Sequence, residues 1–198
     1  MLRPLAALLL ALPVAAAAEA PGIRQPDALR LQNLDASLGT ALRQAFAEGD
    51  AEALAVAEEA LTGPALTGSD VAPEGEWNCR TIKLGGGVPA VAYGNFRCRI
   101  ESLGTGNWRL TKLTGSQRTM GEMVYLEGME IRYLGVGHVG TEPATDYTGL
   151  PPEDQTPVEP NQTHAEAGIF EQMSPDRARL LLPAPILESA FDILYFTR

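Results

Sequence analysis

Leu31, Leu34, Leu38, Leu42 and Ala45 recur at spacings of three and four within residues 26–48, PDALRLQNLDASLGTALRQAFAE. That spacing lines one stripe of an α-helix. Pro26 suits a first helical turn, and Gly49 ends the segment. Asp50 can then cap a second helix over AEALAVAEEAL, which Gly63-Pro64 stops. The pattern predicts an N-terminal helical hairpin whose apolar stripes pack on the chain's own core.

After TGSDVAPEG, residues 67–75, the period changes to two. Alternation bounded by Gly and Pro predicts eight strands: 77–84, 92–102, 107–114, 117–126, 130–138, 165–173, 177–182 and 189–197. Gly121, Gly135, Gly137 and Gly168 fall inside strands, where glycine marks the sharp bends of a small closed barrel. Residues 139–164 form one long loop, Pro-rich and acidic, with little to bury. Loops of that length are functional or disordered. The expected fold is α+β: a helical hairpin, then an eight-stranded antiparallel barrel.

Cys79 and Cys98 are the two cysteines. A hairpin centred on Gly87–Pro89 would set them directly opposite each other on adjacent strands, close to disulfide geometry. Trp77, Cys79, Phe96, Cys98 and Ile100 then share the core face. Asn78, Arg80, Arg97 and Arg99 share the other. The same register opposes Arg80 to Arg97. Like charges so placed call for an acidic element between them. The N-terminal helices, or the loop bearing Glu142, Asp146, Glu153, Asp154 and Glu159, are the expected source.

The first residues, MLRPLAALLLALPVAAAAEAPG, combine one early charge, an apolar run and an A-x-A site. They read as a secretory signal over residues 1–18, cut before Glu19. The run is shorter than the roughly 20 apolar residues that span a bilayer. The expected organisation is therefore signal 1–18, helical extension 19–70 and barrel 71–198, in a periplasmic or secreted protein. An exported chain with one cysteine pair suits a disulfide. The formal net charge of −10 disfavours nucleic acid and anionic membranes as partners. Residues 77–132 nevertheless carry eight Lys/Arg against four Asp/Glu, a basic block in an acidic protein.

Gly75-Glu76-Trp77 opens the first strand as G-x-W, and DILYFTR ends the last with Arg198 at its tip. This resembles the calycin, or lipocalin-like, pattern, in which a Trp plugs the barrel and a basic residue of the last strand packs across it. Trp77 and Arg198 take those positions. The secreted bacterial metalloprotease inhibitors share that barrel and carry one disulfide near the first strands. A closer resemblance covers most of the chain after the leader. WNCRTIKLGG, YGNFRCRI, LTGSQRTMGEMVY, YLGVG and LPAPILESAFDILYF resemble the uncharacterised proteobacterial family filed as domain of unknown function 4893. That resemblance implies an exported bacterial protein of about this length, with no catalytic residues to carry over.

Ser116, Gln117, Arg118 and Thr119 lie where one strand turns into the next, at a barrel rim. They are first a turn, with Arg118 paired to a carboxylate. They are also the best binding candidate, because a guanidinium fork grips carboxylate or phosphate in two bonds. Trp108 joins Ser116, Gln117 and Arg118 in the expected ligand site. Tyr93, Tyr125, Tyr133 and Tyr195 read as core. His138, His164, Glu142 and Asp146 are a poor metal set, so no metal or cofactor is expected. Ser116 has no placed base to make it a nucleophile. GGGV at 85–88 lacks the Lys and helix of a phosphate loop. Asn161-Gln162-Thr163 fits a glycosylation pattern that has no meaning in a bacterial periplasm. The leading expectation is non-enzymatic binding, by a monomer, of a small polar or amphipathic ligand at the barrel mouth. The alternative is a protein-interaction module, such as a secreted-protease inhibitor or an envelope assembly factor, contacting partners through the rim loops or through 139–164.

Overall fold

The computed structural model describes residues 22–104, 106–126, 130–153 and 155–198. The expected leader and its cleavage site lie outside them, as does Asp154. The strands are β1 Gly75–Gly86, β2 Ala90–Ala92, β3 Phe96–Gly104, β4 Asn107–Lys112, β5 Gln117–Tyr125, β6 Ile131–Val139, β7 His164–Ser174, β8 Arg177–Pro183 and β9 Ser189–Thr197. Each pairs antiparallel with its neighbour, and β1 also pairs with β9. That seam closes eight strands into a barrel, with β2 as a short addition along β1.

The expected second strand is therefore two pieces, β2 and β3, both on the same edge of β1. The chain turns back earlier than a hairpin centred on Gly87–Pro89 would. Gly85 and Gly86 take left-handed φ values of 65° and 73°, and the Gly85 amide bonds the Pro89 carbonyl at 3.0 Å. Trp77 then opposes Cys98, and Cys79 opposes Phe96. Cys79 and Cys98 are diagonal neighbours, not opposed residues. Their disulfide forms all the same, with Cα atoms 5.9 Å apart. A slip of two residues preserves which face each side chain takes, so both sulfurs still point inward.

The same slip separates Arg80 from Arg97, whose partner across the ladder is Asn78. Arg80 donates to the Tyr93 carbonyl, while Arg97 and Arg99 both pair with Glu76. The acid that answers these arginines thus comes from β1 itself, not from the helices or the long loop.

The helices number three: α1 Gln25–Gln32, α2 Leu34–Glu48 and α3 Ala51–Leu61. The expected first helix breaks at Asn33, whose side chain bonds the Leu29 carbonyl at 2.8 Å. In place of a two-helix hairpin, three helices pack on the barrel: α1 lies on β7, α2 on β1, β8 and β9, and α3 chiefly on β2. Ala41, Ala45, Ala53, Ala57 and Ala60 of α2 and α3 are buried against outward-facing Ile82, Leu84, Phe191, Ile193 and Tyr195. Alanines let the helices approach the wall closely. Asp50 caps α3 by accepting from the Ala53 amide at 2.9 Å.

Inside the barrel, one end is apolar. Trp77 donates its indole N–H to the Pro73 carbonyl at 2.8 Å and meets Phe196 edge-on at 6.1 Å. The Arg198 guanidinium lies 3.9 Å from the Trp77 ring centroid and donates to the carbonyls of Ala72, Glu74 and Pro175. Trp108 is buried in this half and bonds Glu74 at 2.7 Å.

The segment 139–164 is laid on the outer wall. Tyr147 and Leu150 are buried against Leu134, Val136, Ala165 and Ala167. The Tyr147 hydroxyl donates to Asp27 at 2.6 Å and accepts from the Arg24 amide at 3.1 Å. Asp27 is fully buried and ion-paired with Arg24 and Arg30. The loop therefore has more to bury than its polar composition indicates.

Candidate functional site

Alternation along β1 carries Trp77 and Cys79 into the apolar end, then Thr81 and Lys83 into the opposite half. Along β9 the inward positions are Phe196 and Leu194, then Asp192. Lys112 enters from β4, Thr119 from β5 and Glu166 from β7. These polar side chains line a cavity of about 50 Å³. A second hollow of about 150 Å³ shares Thr81, Lys112 and Gln117, and adds Ser116, Tyr93, Phe96 and Glu188. A larger hollow of about 470 Å³ lies on the outer wall, where Arg109 and Glu122 form a solvent-exposed pair. Exposed pairs of that kind contribute little.

Lys83 is buried, 3.2 Å from Asp192 and 3.3 Å from Glu188. Burial alone would lower its pKa, but the two carboxylates outweigh burial and hold the ammonium above its ordinary value. Asp192 moves the other way for a carboxylate: burial raises it to about 6, against the pull of Lys83 and Ser189. The two directions agree once one ammonium is seen to serve two acids. Asp192 is the deeper of them, with its side chain 12% exposed against 48% for Glu188.

Lys112 is equally buried and differently served. Its Nζ donates to Thr81 Oγ1 at 3.0 Å and to the Gln117 carbonyl at 2.9 Å, and lies 4.2 Å from the Phe96 ring centroid. Among the described residues no carboxylate pairs with it. Burial lowers its pKa to about 8, reinforced by Lys83 and Arg118, while Glu166 and Asp192 oppose the shift. Arg118 likewise has no carboxylate partner among the described residues, and it donates to the Gly115 carbonyl at 3.1 Å. Its expected pairing with an acid is absent there.

Arg118 opposes His138 across β5 and β6, and both line the cavity. His138 is buried, and its Nδ1 has no hydrogen-bond partner. Burial, then the Arg118 charge, lowers its pKa, so the ring is neutral at pH 7. Glu166 accepts from Thr119, which also meets the Tyr133 hydroxyl at 2.6 Å. Burial and then Glu166 push the Tyr133 phenol well up. His164 Nδ1 bonds the Gln162 carbonyl at 2.7 Å, and its Nε2 stands 4.0 Å from Glu166. A Cβ at Gly137 would lie 2.5 Å from His164 Nε2 and 2.6 Å from Glu166 Oε1, so glycine is what admits this pair.

Of the residues expected at the ligand site, Gln117 and Arg118 line the cavity and Ser116 lines the adjoining hollow. Trp108 does not join them. It sits four residues along β4 from Lys112, roughly 13 Å by strand rise, in the apolar half. His138 and His164 do come together, but Glu142 and Asp146 do not line the cavity. Among the described residues no group of three or more His, Cys, Asp or Glu is arranged for a metal.

Sequence reasoning missed Lys83, Lys112, Glu166 and Asp192. A signal was there: Lys83 and Lys112 are the chain's only lysines, beside 13 arginines. Lys83 also shares strand parity with Trp77 and Cys79, so it must face inward where they do.

The family model described as Domain of unknown function (DUF4893) matches residues 21–196, and the chain belongs to that family. No match was found among curated proteins or among solved structures.

Proposed function

We propose that this member of the family binds a small anion, of carboxylate or phosphate size, in the polar half of its barrel, without converting it. One observation carries the reading: Lys112 and Arg118 line the cavity with no carboxylate partner among the described residues. A buried cation with only neutral acceptors costs free energy that an incoming anion recovers. Arg118 supplies a planar fork for two oxygens, and Gln117 adds an amide at the rim. The neutral His138 ring brings one more polar group with an unmet hydrogen bond.

The cavity volume of about 50 Å³ supports a polar ligand of a few atoms. Pockets for drug-sized or amphipathic ligands run to roughly 300–1,000 Å³. The leader-like N-terminus and the Cys79–Cys98 bridge support a site of action in an oxidising compartment outside the cytoplasm. Packing of 139–164 against the barrel and α1 favours ligand binding over partner contact through that segment.

Isothermal titration of the purified chain with acetate, oxalate and inorganic phosphate at pH 7 and low salt tests the reading. Saturable binding of one anion per chain is expected. Arg118→Ala should weaken it roughly 10- to 100-fold, the value of a charge-assisted contact. Absence of heat with all three anions would sink the proposal.

A further inference from the structure

The two lysines of this chain are both buried, and both line the same cavity. Every other basic side chain apart from the two histidines is arginine. Lysine differs from arginine in one chemical respect that matters in a small polar cavity: its amine can lose a proton and act as a nucleophile. Lys83 is not available for this, because Asp192 and Glu188 keep it charged. Lys112 is. Its two acceptors, Thr81 Oγ1 and the Gln117 carbonyl, match the two N–H bonds of a neutral amine and leave its lone pair unused.

We infer that Lys112 captures small 2-oxo acids, of glyoxylate or pyruvate size, as a reversible imine, with the ligand's carboxylate held at Arg118. This rests on the anion-binding reading and names its ligand class. The amine lone pair attacks the ligand's carbonyl carbon and forms the C–N bond. The carbonyl π pair moves to oxygen, which takes a proton, while nitrogen gives one up, leaving a carbinolamine. A second proton then reaches that hydroxyl, the C–O bond breaks, and water departs. The nitrogen lone pair closes the C=N bond, and its last proton is released. Amine and carbonyl are thus converted to imine and water, with no oxidant or reductant.

Glu166 and Asp192 line the same cavity and can carry those protons. Asp192 is raised to about 6 and Lys112 lowered to about 8, so both exchange protons closer to neutrality than an ordinary Asp or Lys does. The volume of about 50 Å³ suits a ligand of this size.

The test is trapping with sodium cyanoborohydride, which reduces an imine to a stable secondary amine. The purified chain is incubated with pyruvate or glyoxylate at pH 8, and intact mass and peptide maps are read. One adduct per chain, on Lys112, is expected, with Lys83 unmodified. Urea should abolish this selectivity, and Lys112→Arg should remove the adduct. Peptide mapping of the unaltered chain decides the matter even if that variant fails to fold. Equal labelling of both lysines, or labelling confined to the N-terminal amine, overturns the inference. Oxalate separates the two levels, since it offers carboxylates and no ketone. If oxalate binds but pyruvate is never trapped, the imine is wrong and anion binding stands. If oxalate, pyruvate and glyoxylate all fail to bind, both fall.

Discussion

Lys83 and Asp192 stand directly opposite each other across the seam where the first and last strands of the barrel meet, with Nζ 3.2 Å from the carboxylate. They are 109 residues apart in the chain. The pair ties barrel closure to the charge state of the cavity. It also explains why the two lysines differ: Lys83 has its acids, and Lys112, on β4, has none among the described residues.

Lys83→Met should therefore cost about 3–5 kcal/mol, because it leaves Asp192 buried without its cation. Lys83→Met combined with Asp192→Leu should recover most of that loss, since a well-packed apolar pair avoids the desolvation of both ions. Urea unfolding of the two variants beside the parent chain measures this. A double variant no more stable than the single one would show that the seam needs the ion pair itself.

Anion affinity should fall as pH rises through about 8, because Lys112 then loses its charge. Glu166, Asp192, Lys83 and Arg118 are the charged groups facing it. The effect on folding has the opposite sign. Folded Lys112 sheds its proton near pH 8, and an unfolded lysine near 10.5. Between those values the unfolded chain holds more protons, so this group's contribution to stability rises with pH. Asp192 gives the reverse trend below neutrality. Its folded pKa of about 6 exceeds the ordinary 3.8, so its contribution is complete at low pH and is lost as pH rises through 6. Binding isotherms and thermal midpoints taken from pH 4 to 10 check both signs, with Lys112→Met expected to lose the alkaline limb.

Reduction of Cys79–Cys98, or the Cys79→Ser/Cys98→Ser pair, should cost about 3 kcal/mol, the loop-closure entropy of a ring of this size. The sequence separation is 19 residues. Folding should survive, because the β1–β9 seam holds the first strand independently of β3. Denaturant midpoints with and without reductant measure the difference.

Tyr147→Ala should cost about 3–5 kcal/mol, as for other buried aromatics. Its ring is buried on the outer wall, and its hydroxyl completes the shell of Asp27. Excision of 143–160 should lower the thermal midpoint for the same reason. A midpoint that did not move would mean the segment is a free loop after all.

Local pattern carried much of this fold. Period-two alternation placed the strands within a few residues and told which side chains face inward, since face depends only on parity along one strand. That is why Trp77, Cys79 and Cys98 share the interior, and why the disulfide survived a register that was wrong by two. It also put Gln117 and Arg118 at a rim. What alternation could not supply was neighbours. Which residue opposes which depends on the turn at Gly85-Gly86, on the offset between β2 and β3, and on the closing of β1 onto β9. Lys83, Lys112, Glu166 and Asp192 come from four strands, and their meeting is a product of closure alone. Trp108 shows the converse. Its type suits a ligand site, but its distance along the strand, which only the assembled barrel reveals, puts it in the apolar half. Side-chain direction is set within a strand by stereochemistry, whereas partnership is set between strands by long-range hydrogen bonding that no short stretch of sequence encodes.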